Sequence, residues 1–580
     1  MSSSGVDHTN TRQAPRNHTQ ILMKPKTKKR ITHALLSTLV VVVGALTIAA
    51  KSPDFVLGRN IQILFNMFRE LSLLYVDEID PEKLLLNAAD GMTSELDPYT
   101  ELIPEKEMAD FEIMTTGKYG GMGAIIQKKG DYVMVAQPYK GSPADKAGLQ
   151  IGDLILAVDG KDVKGMEIQQ VSSLLKGTPG TELHIKVRKL LTDQEQELTI
   201  KRERIVVSAL PYWGVIADSI GYISHKEFTE DCSTDIRNAF LSMKKEGIKG
   251  LIIDLRGNGG GILQEAVKIL SMFVPKGTEV VSMRGRMKEM DATFTTQSEP
   301  IDTEIPVVVL INGSSASAAE IVAGAFQDLD RGVLVGQRSF GKGLVQNTRP
   351  VGFNSFLKLT TAKYYTPSGR CIQVLDYSHR AADGSVGAVP DSLIREYTTR
   401  GGRKVYDGGG IMPDIRMPEN YYSRFTNMLY AKGYIEDFAN LYFKKHREPI
   451  DVDTFALTDA DYNEFVAFMA DKPLDSDSET QQALDQLRQK AERDKYLDRI
   501  AGELKTIEEK IKDDKQTDLQ AFKEELKMLL GNEIVMRYHY IGGVLRNNTH
   551  SDPEILKAIE VLKDTANYHR ILTSQDTERK

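Results

Sequence analysis

The chain is short of the residues that most hydrolytic and redox chemistry relies on. Its 580 residues include two cysteines, one tryptophan and ten histidines. Cys232 and Cys371 lie far apart in the sequence, so neither a disulfide framework nor a cysteine-built metal site is indicated, and two buried free thiols are expected. No H-E-x-x-H stretch and no Cys-x-x-Cys pair occurs, so a catalytic metal has no support and no cofactor is expected. Between Pro53 and Met417 the only histidines are His184, His225 and His379. His184 sits in the strand-like "ELHIKV", and neither of the others has a carboxylate partner at a diagnostic spacing. A histidine relay is therefore not expected. A strong positive balance is missing too: the net charge of −7 argues against nucleic acid as a partner.

What remains is ordinary globular composition, 41% hydrophobic and 27% charged, in a chain long enough for three or four domains. Near its start, Lys24, Lys26, Lys28, Lys29 and Arg30 precede an apolar run over 31–50. About 20 apolar residues span a bilayer, and the basic flank stays cytoplasmic. A cleaved signal peptide is the rival, with Ala45, Ala49 and Ala50 as its small residues. An uncleaved anchor is favoured, and either reading puts the rest of the chain outside the cytoplasm.

Ile61, Leu64, Phe65, Phe68, Leu71 and Leu74 recur at helical spacing, and with a second stretch from Pro81 they predict a small helical unit. From Tyr119 the pattern changes to short strands with Gly and Pro punctuation, a mostly β module. From "WGVIADSIGYISHKEF" onward, apolar strands alternate with helical stretches, which predicts an α/β domain with a largely parallel sheet. Beyond Pro418 the chain reads as charged helices. Leu497, Ile500, Leu504, Ile507 and Ile511 form a short 3-4-3-4 stripe expected to pack on neighbouring helices.

Three stretches could carry chemistry. "NGSSASAAE" (312–320) follows the buried strand "IPVVVLI" and opens a helix, so its serines lie where open α/β sheets bind ligands. Capping of that helix is the plain alternative for Ser314 or Ser315. In "RSFGKGLVQ", Lys342 is bracketed by glycines. A lysine becomes a general base only if burial lowers its pKa from about 10.4 to ~7–8. Gln346 could hold the amine, and a snorkelling surface cation is the plain alternative. "GQRSFGKG" is not a P-loop, because Gly343 stands where Ser or Thr is required. "DLRGNGGG" (254–261) can aim backbone N–H groups at a developing charge but offers no nucleophile. Finally, "GSPADKAGLQIGDLILAVDG" (141–160) closely resembles PDZ domains, which add an extended peptide as a strand and hold its carboxylate on backbone N–H groups. In "YGGMGAII", Gly120, Gly121, Met122 and Gly123 fit that role.

Together these stretches, with "TAKYYTPSGRCIQ" and "GGGIMPDI", resemble the carboxy-terminal processing (tail-specific) proteases over about 55–416. The resemblance implies a serine–lysine dyad. Ser317 is its nucleophile, Lys342 its general base and Gln346 the orienting neighbour, with the N–H groups of Ala318 and Gly260 as the oxyanion hole. Ser314 and Ser315 then become turn and cap residues. The implied fold is multidomain α+β: a cytoplasmic segment (1–30), a membrane helix (31–50), a helical unit (55–106), a PDZ-like module (107–205), a crotonase/ClpP-like protease core (206–416) and a helical C-terminal domain (417–580).

The expected function is an endopeptidase of the bacterial inner membrane, its catalytic part in the periplasm. It would recognise free apolar C-terminal tails and cleave through an acyl-enzyme. The C-terminal helices are expected to pair protomers or dock an adaptor. The rivals are an inactive peptide-binding scaffold and a crotonase-like acyl-CoA enzyme, which would need neither the PDZ-like module nor the anchor.

Overall fold

The structure, a computed structural model, describes residues 53–381, 383–419, 421–474, 479–511 and 515–573. The expected cytoplasmic segment and anchor, 1–50, lie outside the described residues. Among those described, no helix is long and apolar enough to cross a membrane. The chain divides into two units, Met1–Met92 and Thr93–Lys580. In the first, the helical periodicity yields α1 (Pro53–Leu74), and α2 begins at Pro81 (Pro81–Thr93). Ile61, Leu64, Phe65, Leu71 and Leu74 of α1 are all exposed. Residues 101–103, grouped with this unit on sequence, instead form a strand that pairs with residues 356–358 of the second unit. Local periodicity could not reveal a pairing made across 250 residues.

The PDZ-like module is built on β1 (Ala124–Lys129), β2 (Tyr132–Pro138), β3 (Leu154–Val158), β4 (Glu182–Arg188) and β5 (Glu195–Lys201), which lie side by side in that order. Two short helices complete it, α3 (Pro143–Lys146) and α4 (Ile168–Leu175). Alternation sets the core: Leu183, Ile185 and Val187 of β4 point inward onto Val133, Val135 and Val171. Ser142 caps α3 by accepting the Asp145 N–H, with Pro143 at the first helical position, where a missing N–H costs nothing. A two-stranded ribbon, Lys118–Gly121 against Glu203–Val206, ties the module to the rest of the chain.

The second sheet runs β6 (Tyr212–Ile216), β7 (Ile220–Ser224), β8 (Gly250–Asp254), β9 (Val307–Ile311) and β10 (Val333–Gly336), and it closes with a short strand at Ile415–Arg416. The β6–β7 pair is antiparallel and every later pair is parallel, as the alternating pattern predicts. Strands β7 to β9 are buried along their whole length, which explains their unbroken apolar runs. Leu251, Ile253, Val307 and Val309 face α5 (Cys232–Lys245), α6 (Leu263–Leu270) and α7 (Ala318–Asp328). A long hairpin, β11 (Leu344–Gly352) and β12 (Ser355–Tyr365), leaves the core after β10.

The C-terminal segment is helical, as expected, and its last part packs on the protease core. Helices α8 (Tyr434–Lys445) and α9 (Lys523–Asn548) share a core of their own around Phe438, Phe465, Leu526 and Leu530. The last two helices, α10 (Pro553–Lys563) and α11 (Thr565–Thr573), turn back onto the protease sheet. They cover its second face, where Ile252, Val308 and Leu310 meet Ile555, Ala558 and Val561. A sheet buried on both faces needs helices on both sides, and the chain supplies the second layer from its C-terminal region. The join is also polar. Arg256 pairs with Asp254 at 2.8 Å and with Asp552 at 2.9 Å, and it reaches Glu554 as well. Burial works to raise the Asp254 carboxyl, but Arg256 outweighs it and holds the group near 2.

His225, at the end of β7, is wholly buried against Phe228, and neither of its ring nitrogens makes a hydrogen bond. Burial lowers its pKa from 6.5 to about 4, so it folds neutral and is unsuited to act as a base at neutral pH. The unfolded chain takes up this proton below pH 6.5 while the folded chain does not until about pH 4. Stability is therefore complete above pH 6.5 and declines as the pH falls, by about 3 kcal/mol at pH 4. In urea titrations at pH 7 and pH 4.5, His225→Leu is expected to lose less stability on acidification than wild type. Equal losses would show that the ring has a partner for its proton.

Candidate active site

The turn that carries Ser317 begins where β9 ends. Asn312 Oδ1 accepts the N–H groups of Gly257 (3.0 Å) and Ser314 (3.1 Å). Ser315 Oγ accepts the Asn312 N–H and donates to Leu255 O at 2.8 Å. Ser315 thus braces one loop against the other, and neither it nor Ser314 caps the helix. The N-cap position of α7 belongs to Ser317. Its φ of 54° and ψ of −114° are unusual for a residue with a side chain. Strain of this kind costs of order 1–3 kcal/mol and persists only where the surroundings enforce it. Such a turn sets the hydroxyl at the mouth of a helix, beside the Tyr364 phenol, which burial pushes up to about 12.

Two expected oxyanion donors lie close by. The Ala318 N–H, first in α7, has no acceptor among the described residues, as the geometry of a helix start leads one to expect. Gly260 has φ +100°, and a Cβ there would lie 2.7 Å from Ser317 Cβ and 3.0 Å from Ala318 N, so only glycine fits. Its N–H, however, donates to Asn258 Oδ1 at 2.9 Å. In this conformation that donor is occupied.

The loop that carries Lys342 follows β10. Lys342 is half-buried, and its pKa is lowered first by burial and then by the neighbouring Lys358 cation. Its ammonium lies 4.1 Å from the centre of the Tyr99 ring and makes no hydrogen bond to Ser317. Gln346 Nε2 donates to Thr360 Oγ1 at 3.2 Å and does not reach the lysine. The structure thus brings the two loops together while their side chains stand apart.

What joins the loops is Glu320, which sequence reasoning passed over. It is completely buried. Oε2 accepts the N–H groups of Ser317 (2.9 Å) and Lys342 (2.8 Å), and Oε1 accepts from the Gly341 N–H (2.7 Å) and the Ser339 hydroxyl. Burial raises its carboxyl pKa, and the donated hydrogen bonds oppose that rise. The spacing Ser317-x-x-Glu320, that of a capping box, was the available signal. Tyr99 had no such signal, because only the fold carries it to Lys342.

In the module, the carbonyls of Gly120, Met122 and Gly123 accept from Gly177 N, Ala144 N and Tyr139 N. Ser142 Oγ also donates to Gly123 O at 2.8 Å. Gly123 has φ +79° and rests against Ser142, whereas Gly120 and Gly121 pair with Arg204 and Glu203 in the ribbon. Met122 is buried in the module core. Strand β1, which follows the loop, is at the edge of its sheet.

The remaining candidates are placed as follows. Exposed His184 meets Thr199 across the sheet. His379 does have a carboxylate partner, contrary to expectation: Asp376 at 2.7 Å, three residues back. Ser378 meets the same His379 nitrogen, so no relay can pass through the ring, and the side chain is exposed. Both cysteines are free; Cys232 is buried and Cys371 partly so. Among the described residues, no group of His, Cys, Asp and Glu could hold a metal ion.

Comparison with known proteins places the chain in a family. Residues 219–377 match the model of peptidase family S41, residues 134–189 that of the PDZ domain, and residues 425–562 that of the "probable PDZ-protease, C-terminal helical domain". The carboxy-terminal-processing protease of Bartonella bacilliformis is 35% identical over 57% of this chain and 74% of its own length. A probable CtpA-like serine protease of Staphylococcus aureus is 36% identical over 54% of this chain and 62% of its own length. Among solved structures, a photosystem II D1 C-terminal processing protease aligns over 60% of this chain and 86% of its own, with 26% identity and a TM-score of 0.34. A chain with this core, this module and this degree of identity belongs to the carboxy-terminal processing proteases of peptidase family S41.

Proposed function

We propose that the protein is a serine endopeptidase that captures free apolar C-terminal tails on its PDZ module, residues 107–205, and cleaves upstream of them with Ser317 and Lys342 in the core, residues 206–416. The observation that carries this reading is the Glu320 carboxylate, one oxygen of which takes the backbone N–H groups of both residues. Ser317 Oγ attacks the scissile carbonyl and passes its proton to neutral Lys342. The oxyanion is met by the N–H of Ala318 and, once Asn258 releases it, by that of Gly260. Lys342 returns the proton to the leaving amine, and water then hydrolyses the acyl-enzyme. Gln346 turns from Thr360 to hold the amine while this occurs. The lysine must leave Tyr99 for the first step, so the present arrangement is a resting one, and tail capture assembles the dyad.

The captured tail adds to the edge of β1 with its carboxylate at Gly120, Gly121, Met122 and Gly123. The basic flank and apolar run of residues 24–50 support a single membrane anchor, with the catalytic part outside the cytoplasm, in the periplasm of a double-membraned bacterium. The C-terminal helices, residues 417–580, would carry any protomer or adaptor contact.

The reading is tested with a loosely folded protein bearing a free or an amidated apolar tail. Ser317→Ala and Lys342→Ala should each lower cleavage by at least about 1000-fold, and amidation should slow the wild type. Retained activity in either variant would remove that residue from its role.

Because the neutral lysine is the active form, kcat/KM should rise with pH to a midpoint below 10.5, the ordinary lysine value. A midpoint at or above that value would exclude Lys342 as the base. Glu320→Gln replaces an acceptor oxygen with an NH₂ group that faces N–H donors. It should cost about 1–3 kcal/mol of stability and lower kcat roughly 100-fold with little change in KM. An unchanged kcat would mean that the two loops hold their places without the carboxylate.

A further inference from the structure

The C-terminal helical segment grips the PDZ module at both ends of β1. At the far end, Lys129 Nζ pairs with Glu436 (3.0 Å) and Asp437 (2.7 Å) at the start of α8, and Gln127 Nε2 donates to Glu436 Oε1 at 2.8 Å. Gln127 and Lys129 lie two apart and so share one face of β1, the opposite face to that of Ile126, which packs against the module core. At the near end, Tyr540 donates its hydroxyl to Asp145 Oδ1 at 2.7 Å. The other oxygen of Asp145 accepts the Gly141 N–H at 2.7 Å, the Asp145 N–H goes to Ser142 Oγ, and Ser142 Oγ donates to Gly123 O. The contact from α9 thus ends on the glycine loop.

Tyr540 is itself unusual. With φ 57° and ψ −169° it breaks α9 in a conformation nearly reserved for glycine, so the helix is strained where it touches the module. A Cβ on nearby Gly542 would lie 2.9 Å from Pro211 O, which places the break against the linker between module and core. A cavity of about 700 Å³ opens here, lined by Ile125, Val206, Val207, Tyr540 and Ile541 among others, and it leaves space into which the module can shift.

From the module to the catalytic loop the path is short. Val207 N–H donates to Gly117 O, and Lys118 pairs with Glu230 at 2.9 Å. Two residues earlier in the chain, Phe228 donates its N–H to Gly260 O and accepts that of Ile262. Displacing the Lys118–Gly121 strand therefore pulls on the segment that carries Gly260. The grip is closed in the same conformation in which Lys342 rests on Tyr99.

We infer that α8 and α9 form an autoinhibitory clasp on the PDZ module, with Glu436, Asp437 and Tyr540 as its contacts, which holds the protease at rest until a tail added to β1 opens it. This rests on the tail-capture reading above and adds what the captured tail must overcome. In assays on the full chain, Tyr540→Phe combined with Glu436→Gln and Asp437→Asn should speed cleavage of the amidated-tail protein about 5-fold or more. The free-tail rate should stay within roughly twofold, since opening is what both routes achieve. Reversing the pair with Lys129→Glu, Glu436→Lys and Asp437→Lys should bring the amidated-tail rate back to the wild-type level. Tyr540→Phe alone, which keeps the ring, should give a smaller rise in the same direction. If the free tail stimulates the wild type and the opened variants leave the amidated-tail rate unchanged, the clasp is refuted and tail capture stands. If the wild type cuts both proteins equally, tail capture falls and the clasp falls with it.

Discussion

A fully buried carboxylate is costly, because an unpaired ion taken out of water loses several kcal/mol of solvation or gives up its charge. Glu320 offsets that cost with four donors drawn from two loops that share no strand, and the site depends on this arrangement. Removing any one donor would leave the charge under-satisfied, so the Ser317 turn and the Ser339–Lys342 loop hold each other in position. The constraint acts through backbone N–H groups. It fixes the two backbones, while the Lys342 ammonium itself lies over the Tyr99 ring.

The second constraint is the parallel sheet. Strands β8 and β9 are neighbours and end together, so the loops that follow them, 255–261 and 312–317, meet at one edge. Their contacts are polar and reciprocal. Asn312 holds Gly257, Ser315 holds Leu255, and Asn258 O holds the Ala316 N–H. These bonds place Gly260 so near Ser317 that no side chain would fit between them. The strained turn at Ser317 is stable because it is held at both ends by the β8 loop and by Glu320. Across from that turn, the charge of Lys342 is discouraged by burial and by Lys358.

Much of this was legible from local pattern. The alternating strands and helices of the core, the PDZ-like turn at Ser142 and the serine and lysine blocks each lie within a few dozen residues, where spacing carries the information. What was missed depends on contacts distant in sequence. Tyr99 reaches Lys342, residues 101–103 join β12, and α10 closes the second face of the core sheet. None of these has a periodic signature, because each is decided by which surfaces remain uncovered once the local pieces have formed. Glu320 is a different case. Its spacing from Ser317 was visible, but its second role, toward the Lys342 loop, existed only in three dimensions.

The return of α10 has a consequence for how the protein is made. Arg256, two residues beyond β8, is held by Asp254 and by Asp552 and Glu554 at the start of α10, and Tyr568 in α11 accepts the N–H of Val307 at the start of β9. A ribosome releases Ser317 and Lys342 more than 200 residues before it releases these helices. Until then Ile252, Val308 and Leu310 face water, and Arg256 lacks two of its carboxylates. The nascent chain thus carries Ser317 and Lys342 on a sheet whose second face is uncovered, and that face is closed only when α10 and α11 have been synthesised.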